Sequence, residues 1–324
     1  MDTVMIGYKS PVARIVPQPV TILLCSLWFY VTIVFTACLS VIALPSFRLR
    51  TCLTKVWIAL FMPAVHLFFG LRLEVSGVEN LGSLPDRPVV YVGNHSSTLD
   101  FILSTRVTSM GTAAVAKREL LWQPIGWMAW MCGSMFIDRS DPQRAIASMN
   151  DLAHTIQTFG VSTCVYPEGT RSKDGRLKPF KKGAFHIARQ ARVPVVPIVT
   201  IGAHKVSPNA LFTRQRRMEG RASRDHPCKG APTDKLHTPP YRTSRARSRA
   251  RARALAFSCA LRQIWGKSED PKLIKVNAEP VRIKILAPID TNEWSVDNME
   301  EKTRMVHALF IDALPKDQRP SKAE

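Results

Sequence analysis

Residues 20–44 form a run of 25 amino acids without one charged side chain, closed by Pro45. At about 1.5 Å of rise per residue, a helix of that length crosses a hydrocarbon core of ~30 Å. The run is longer than a secretory signal and lacks a small-residue cleavage site. The competing reading is a helix buried in a large core. Arg48, Arg50 and Lys55 follow, and basic residues flanking a span mark its cytoplasmic end. A second apolar stretch, residues 56–71, is shorter and contains Pro63 and His66. It reads as a kinked second membrane element or as an interfacial helix. Residues 1–70 are therefore expected to be a membrane-anchoring helical hairpin, with the lipid bilayer as partner and the rest of the chain on the cytoplasmic side.

From residue 71 short apolar strands alternate with helices, the pattern of an α/β domain. Strands are expected at 71–75, 89–92, 113–116, 135–137, 161–165 and 193–201. Asp141-Pro142 is a helix start. Ile146, Met149, Leu152, Ile156 and Phe159 then recur at three- and four-residue steps until Gly160, which can end the helix. The fold class is α/β, a mixed sheet flanked by helices and preceded by the hairpin, with its core at 71–212. The chain carries 45 Lys+Arg against 25 Asp+Glu, a net charge of +20. Residues 213–267 hold 15 of the basic and 3 of the acidic residues, +12 of that excess. That stretch, rich in Arg, Ser and Pro with little to bury, reads as a disordered insertion. Residues 268–324 return with an alternating strand at 281–286 and an amphipathic helix at 296–314, which are expected to complete the core.

Four clusters carry candidate chemistry. In Gly93-Asn94-His95-Ser96-Ser97-Thr98-Leu99-Asp100 a strand ends at a turn, and Ser96, Ser97 and Thr98 are candidate helix caps. His95 is either a general base oriented by Asp100 or a hydrogen-bonded turn residue. In Tyr166-Pro167-Glu168-Gly169-Thr170-Arg171, Gly169 permits unusual backbone angles and Arg171 offers a fork for phosphate. Glu168 could hold a substrate hydroxyl or a basic neighbour. The plain alternative for this cluster is a polar turn. Arg139 in Phe136-Ile137-Asp138-Arg139 is a second fork or a surface ion pair. Val193-Pro194-Val195-Val196-Pro197 is an apolar wall for an acyl chain, or core; two prolines imply an edge or bulged strand. A base, two arginine forks and an apolar wall suit a substrate with a hydroxyl, a phosphate and a fatty chain. There is no G-x-S-x-G elbow and no glycine-rich nucleotide loop. Direct transfer from an activated acyl donor therefore fits better than an acyl-enzyme. The seven cysteines show no C-x-x-C, and the eight histidines do not cluster with other ligands, so no metal and no disulfide frame are expected.

These motifs, in this order, resemble those of the PlsC-like glycerolipid acyltransferase family, and most closely its 1-acyl-sn-glycerol-3-phosphate acyltransferases. Asn94-His95 with Asp100 is similar to the NHxxxxD motif. Gly133 with Phe136 to Arg139 resembles the second motif, Glu168 to Arg171 the third, and Val193-Pro194 with Pro197 the fourth. The resemblance spans about 71–201, extends to 281–286 and the N-terminal hairpin, and implies catalysis by His95 and Asp100. It implies substrate contacts at Asn94, Lys117, Arg139, Glu168, Gly169, Thr170 and Arg171, and an acyl-chain wall at Val193, Pro194 and Pro197. The implied substrates are lysophosphatidic acid and acyl-CoA, with no cofactor, no specific nucleic acid, and a membrane location at the endoplasmic reticulum. Two other readings remain. One is a different acceptor, such as glycerol-3-phosphate or another lysophospholipid. The other is an inactive basic protein that binds membranes or nucleic acid through 213–267, a stretch in which the chain departs from the family pattern.

Overall fold

The computed structural model describes residues 4–6, 16, 18–69, 71–82, 84, 87–97, 99–172, 174–206 and 280–321. The expected insertion at 213–267 lies outside them, as does the candidate cap Thr98. The described residues belong to one unit, built on an eight-stranded mixed sheet.

Two long helices come first, α1 (Gln18–Ala43) and α2 (Phe47–Phe69), packed antiparallel. Both are long and apolar enough to cross a membrane. The face of α1 turned inward carries Ser26, Thr32, Thr36 and Ser40 beside Cys25 and Phe29, all buried. Three of those hydroxyls are satisfied within the helix; Thr36 Oγ1, for example, donates to the Thr32 carbonyl at 2.8 Å. The outward face exposes Leu23, Leu27, Val31, Val34, Phe35, Val41 and Ile42. Small and polar residues inside with large apolar ones outside invert the pattern of a helix facing water. Phe29, Trp57 and Phe61 close the seam between the helices, their rings 5.2–5.6 Å apart.

The second helix is longer than the apolar stretch 56–71 suggested. It begins at Phe47 and takes in Arg48, Arg50 and Lys55, and Pro63 does not end it. Its charges turn toward the α/β domain. Arg50 Nε donates to the Met131 carbonyl at 3.0 Å, and a second guanidinium nitrogen reaches the Trp130 carbonyl. Lys55 Nζ reaches the carbonyl of Thr108. These residues clamp the hairpin to the domain.

The strands are β1 (Val4–Ile6), β2 (Leu73–Ser76), β3 (Val90–Gly93), β4 (Thr112–Lys117), β5 (Met135–Ile137), β6 (Ser162–Val165), β7 (Val195–Ile201) and β8 (Val281–Ile285). Their spatial order is β1-β2-β8-β7-β3-β6-β4-β5. From β7 to β5 all neighbours are parallel, whereas β8 runs antiparallel to β7 and β1 antiparallel to β2. The helices are α3 (Asp100–Val107), α4 (Pro124–Met131), α5 (Pro142–Phe159), α6 (Gly183–Ala191) and α7 (Met299–Ala313). Asp141 caps α5 by accepting from the Arg144 N–H at 3.1 Å, and Gly160 ends it at φ 60°. The main core packs Leu152 and Ile156 of α5, Phe185 and Ile187 of α6, and Val306 and Phe310 of α7 against β3, β6 and β7. Parallel strands bring their C-terminal ends to one edge, where β3 delivers His95 and β6 delivers Glu168.

Two expectations change. β7 is not an edge strand, since it lies between β8 and β3; beside Pro197 its pairing is irregular, with residues 196–197 opposite 286–288. Pro197 is tolerated because the ladder to β8 starts only at Ile198. The missing N–H falls between that ladder and an isolated bridge at Val195–Ile289, while the Pro197 carbonyl still accepts from Leu286 at 3.0 Å. The hydroxyls of Ser96 and Ser97 do not cap α3 either. Its first flanking residue is Leu99, and Ser97 Oγ accepts only the Leu99 N–H, at 3.1 Å.

Gly133 closes the seam between α4 and the hairpin. It sits at φ 72°, and a Cβ there would lie 2.8 Å from Thr51 Cγ2. Gly133→Ala is expected to lower stability by roughly 1–3 kcal/mol, the cost of a left-handed alanine plus the displaced threonine. Thermal unfolding of the purified protein checks this, and an unchanged midpoint would contradict the packing described.

Candidate active site

The site is built on β3. The Asn94 side chain behaves as an extra peptide unit, accepting from the Thr200 N–H at 2.8 Å and donating to the Thr200 carbonyl at 2.9 Å. It is buried and ties the end of β3 to β7. The turn that follows folds around the carboxylate of Asp100, which is fully buried at the first position of α3. One oxygen, Oδ2, accepts from the Ser96 N–H at 2.7 Å, the Ser97 N–H at 2.6 Å and His95 Nδ1 at 2.9 Å. A carboxylate can only accept, so Nδ1 carries a proton, and in the neutral ring it is Nε2 that holds the lone pair. The imidazole is 23% exposed, so a substrate can reach it. His95 therefore meets the geometric requirement of a general base with an orienting carboxylate.

The ring is held from one side by Tyr166, stacked at 4.5 Å and 21°. Gly93 permits this contact, because a Cβ there would lie 3.0 Å from the tyrosine ring. The Tyr166 hydroxyl donates to Ser104 Oγ at 3.1 Å, and burial holds the phenol well above its ordinary value. Behind it, burial pushes the Cys164 thiol up to about 12, so it is no thiolate nucleophile.

Glu168 is part of the frame. It is buried; Oε1 accepts from the His95 N–H at 2.6 Å and Oε2 from the Lys178 N–H at 3.1 Å. Both oxygens are thus engaged with backbone, and the carboxylate joins the histidine turn to the 168–178 loop. The Ser172 N–H adds a bond to the His95 carbonyl at 2.8 Å. Gly169 sits at φ 71° with the Lys181 side chain across it, and its carbonyl accepts from Arg139 at 2.8 Å. Lys178 Nζ reaches Thr170 Oγ1 at 3.2 Å and the Arg171 carbonyl at 3.0 Å. Arg171, Arg139 and Lys117 are all exposed. Lys117 ends β4 opposite Ile137, two residues before Arg139. The accessible rim of this edge is therefore cationic, as binding a phosphate requires.

Of the residues singled out from the sequence, His95, Asp100, Glu168, Gly169, Thr170, Arg171 and Arg139 are joined through direct contacts or adjacent positions. Every polar atom of the Asn94 and Glu168 side chains is bonded to backbone, so in this structure both belong to the frame around the turn. Val193 and Pro194 are not brought to the site. They lie beside the start of β3, where Val90 donates to the Pro194 carbonyl, about 15 Å of strand away from His95. Pro197 pairs with Val92 inside the sheet. Sequence reasoning passed over the stacking role of Tyr166, and over Lys178 and Lys181, although the run Lys178-Pro179-Phe180-Lys181-Lys182 is plainly basic. It also missed Gln318, whose side chain and carbonyl tie Gly202, Gly175 and Leu177 together and for which the sequence holds no signal. Among the described residues no three His, Cys, Asp or Glu side chains converge as a metal site.

Residues 72–201, which hold most of the sheet, the turn and the dyad, match the family model described as Acyltransferase. Relatives are found among 1-acyl-sn-glycerol-3-phosphate acyltransferases. The one from Limnanthes alba is 27% identical over 300 residues, covering 92% of this chain and 83% of the relative. The human alpha enzyme is 40% identical over 164 residues, covering 50% of this chain and 57% of that protein. The Saccharomyces cerevisiae relative is 38% identical over 159 residues, covering 48% and 52%. The crystal structure of PlsC, the 1-acyl-sn-glycerophosphate acyltransferase of Thermotoga maritima, superposes with a TM-score of 0.53 at 21% identity. It covers 91% of this chain and 95% of that one, and so shares the fold.

Burial pushes the Glu168 carboxyl up to about 7, against the two N–H donors that favour its ionised form. The unfolded carboxyl titrates near its ordinary value, so between the two the native state holds the extra proton. This group's contribution to stability is therefore greatest at the acid end of that window and falls as pH rises to 7. Glu168→Gln removes the titration and presents an amide N–H₂ to a backbone donor, at a cost of about 1–3 kcal/mol. Denaturant unfolding of both proteins from pH 5 to 7 should show a flatter pH slope for the variant. Equal slopes would contradict the assignment.

Proposed function

We propose that the chain transfers a fatty acyl group from acyl-CoA to the sn-2 hydroxyl of lysophosphatidic acid, giving phosphatidic acid. The observation that carries this is the His95–Asp100 hydrogen bond at 2.9 Å, which leaves Nε2 free to accept a proton at the edge of an Acyltransferase domain. The names of the relatives support the choice of acceptor. His95 Nε2 takes the proton of the acceptor hydroxyl as its oxygen attacks the thioester carbonyl. The tetrahedral intermediate expels the CoA thiolate, which receives that proton from the imidazolium. Asp100 stabilises the imidazolium during transfer. Arg171, Arg139 and Lys117 bind the phosphate, and Glu168 holds the histidine turn against their loop.

The hairpin is the membrane anchor in this proposal. Support comes from the outward apolar face of α1 and from Thr32, Thr36 and Ser40 on its inward face, whose hydroxyls are satisfied within the helix. Both the acceptor and the acyl chain partition into lipid, so an anchored site meets them at the bilayer. The proposed location is the endoplasmic reticulum with the α/β domain facing the cytoplasm, following the basic residues at the start of α2.

Purified protein of residues 1–324 with oleoyl-CoA and lysophosphatidic acid tests the reaction. His95→Ala should lose about 10²–10⁴-fold in rate, the range of a general base, with an unchanged thermal midpoint. Activity within tenfold of the parent would contradict the role of His95. A parallel assay with glycerol-3-phosphate decides the acceptor, and a faster rate with it would overturn lysophosphatidic acid as the substrate.

A further inference from the structure

Trp122, Trp127 and Trp130 are 88%, 64% and 50% exposed, whereas Trp57 and Trp294 are buried at 4% and 7%. Three exposed indoles within nine residues are costly in water, and their size and N–H suit the polar–apolar boundary of a bilayer. Trp127 and Trp130 stand three apart on α4 and so share a face. Trp122 ends the tight turn Arg118–Trp122, which lies so close to α4 that a Cβ on Gly126 would meet the Leu120 carbonyl oxygen at 1.9 Å.

The rest of α4 is fixed to the hairpin. Met128 and Cys132 pack with Leu39, Ala43 and Leu53 from both of its helices. The Arg50 guanidinium lies 4.9 Å over the Trp130 ring and bonds the carbonyls that end α4. Leu44, Ile42 and Leu49 are exposed at the end of the hairpin against which α4 packs. The chain enters the tryptophan segment from Lys117 and Arg118, at the C-terminal end of β4. That is the sheet edge where β3 delivers His95.

We infer that residues 118–131 form a second lipid-contact surface, which seats the three tryptophans in the bilayer interface and holds the cationic mouth of the site at the headgroups. It rests on the membrane reading of the hairpin given above. The occupant is the lipid interface because the segment packs against the apolar hairpin and carries Arg50 over the Trp130 ring and Lys117 and Arg118 at its start, a complement to anionic phosphate headgroups.

The test uses the protein of residues 1–324 reconstituted with vesicles of phosphatidylcholine and phosphatidic acid, with and without lipid brominated at acyl carbons 6 and 7. Flotation establishes membrane binding, and the emission of W122F/W127F/W130F is subtracted from that of the parent. The difference emission should be quenched by the brominated lipid. If the parent floats but the difference emission is not quenched, the surface faces water or protein and the inference is overturned while the anchor stands. A parent that fails to float overturns both. A second variant, W122A/W127A/W130A, should turn over vesicle-borne lysophosphatidic acid roughly tenfold more slowly, as three large apolar groups leave the interface. It should keep its rate on a short-chain acceptor held below its micelle concentration. An equal change in both assays would count against the surface. If the parent has no acyl transfer in either assay, the proposed reaction fails and the quenching result alone decides this inference.

Discussion

A single buried oxygen organises the candidate site. Asp100 Oδ2 gathers two backbone N–H groups and the Nδ1–H of His95 within 2.6–2.9 Å. The backbone bonds are charge-assisted and short, so the turn and the tautomer are set together. The spacing of five residues matters for that reason. Asp100 is the first residue of α3, its side chain folds back over the turn that precedes it, and the helix N-terminus favours its negative charge.

The dyad depends in turn on the order of the sheet. β3 lies between β7 and β6, and each neighbour grips the residues just past its end. From β7 the Thr200 peptide pairs with the Asn94 amide. From β6 the chain continues into Glu168, whose carboxylate takes the His95 N–H. Tyr166 adds a flat wall. Every atom that fixes the imidazole therefore belongs to an element anchored in the core, while the cations on the 168–178 loop and after β4 and β5 stay at the exposed rim. Rigid frame and solvated rim are the division expected where a proton must move at a fixed atom and an ionic substrate must enter and leave.

What the sequence makes legible follows the range of the interactions involved. The hairpin, the alternation of strands and helices, the capped helix α5 and the His95–Asp100 spacing are local patterns, and each can be read within a window of about 25 residues. Asn94 and Glu168 stand out as site residues, but their roles depend on partners 106 and 73 residues away, and no local pattern separates a substrate contact from a frame contact. Pro197 misleads for a similar reason, since whether a proline is tolerated depends on which neighbour lacks a bond to it. The start of α2 was hidden because Arg50 and Lys55 look like flanking charges until the carbonyls of Trp130, Met131 and Thr108 are seen to receive them.

The central claim is that His95 and Asp100 act as one base. A double-mutant cycle on acyl transfer to lysophosphatidic acid, with His95→Ala, Asp100→Asn and the pair, tests it most directly, since residues acting as a unit lose activity non-additively. Asparagine can keep an acceptor for Ser96 and Ser97 at the Oδ2 place while it removes the charge and sets an amide N–H₂ at the Oδ1 place. The double variant should be no slower than His95→Ala alone. A double variant slower by the product of the two single losses would show that the two residues act independently, and would contradict the account.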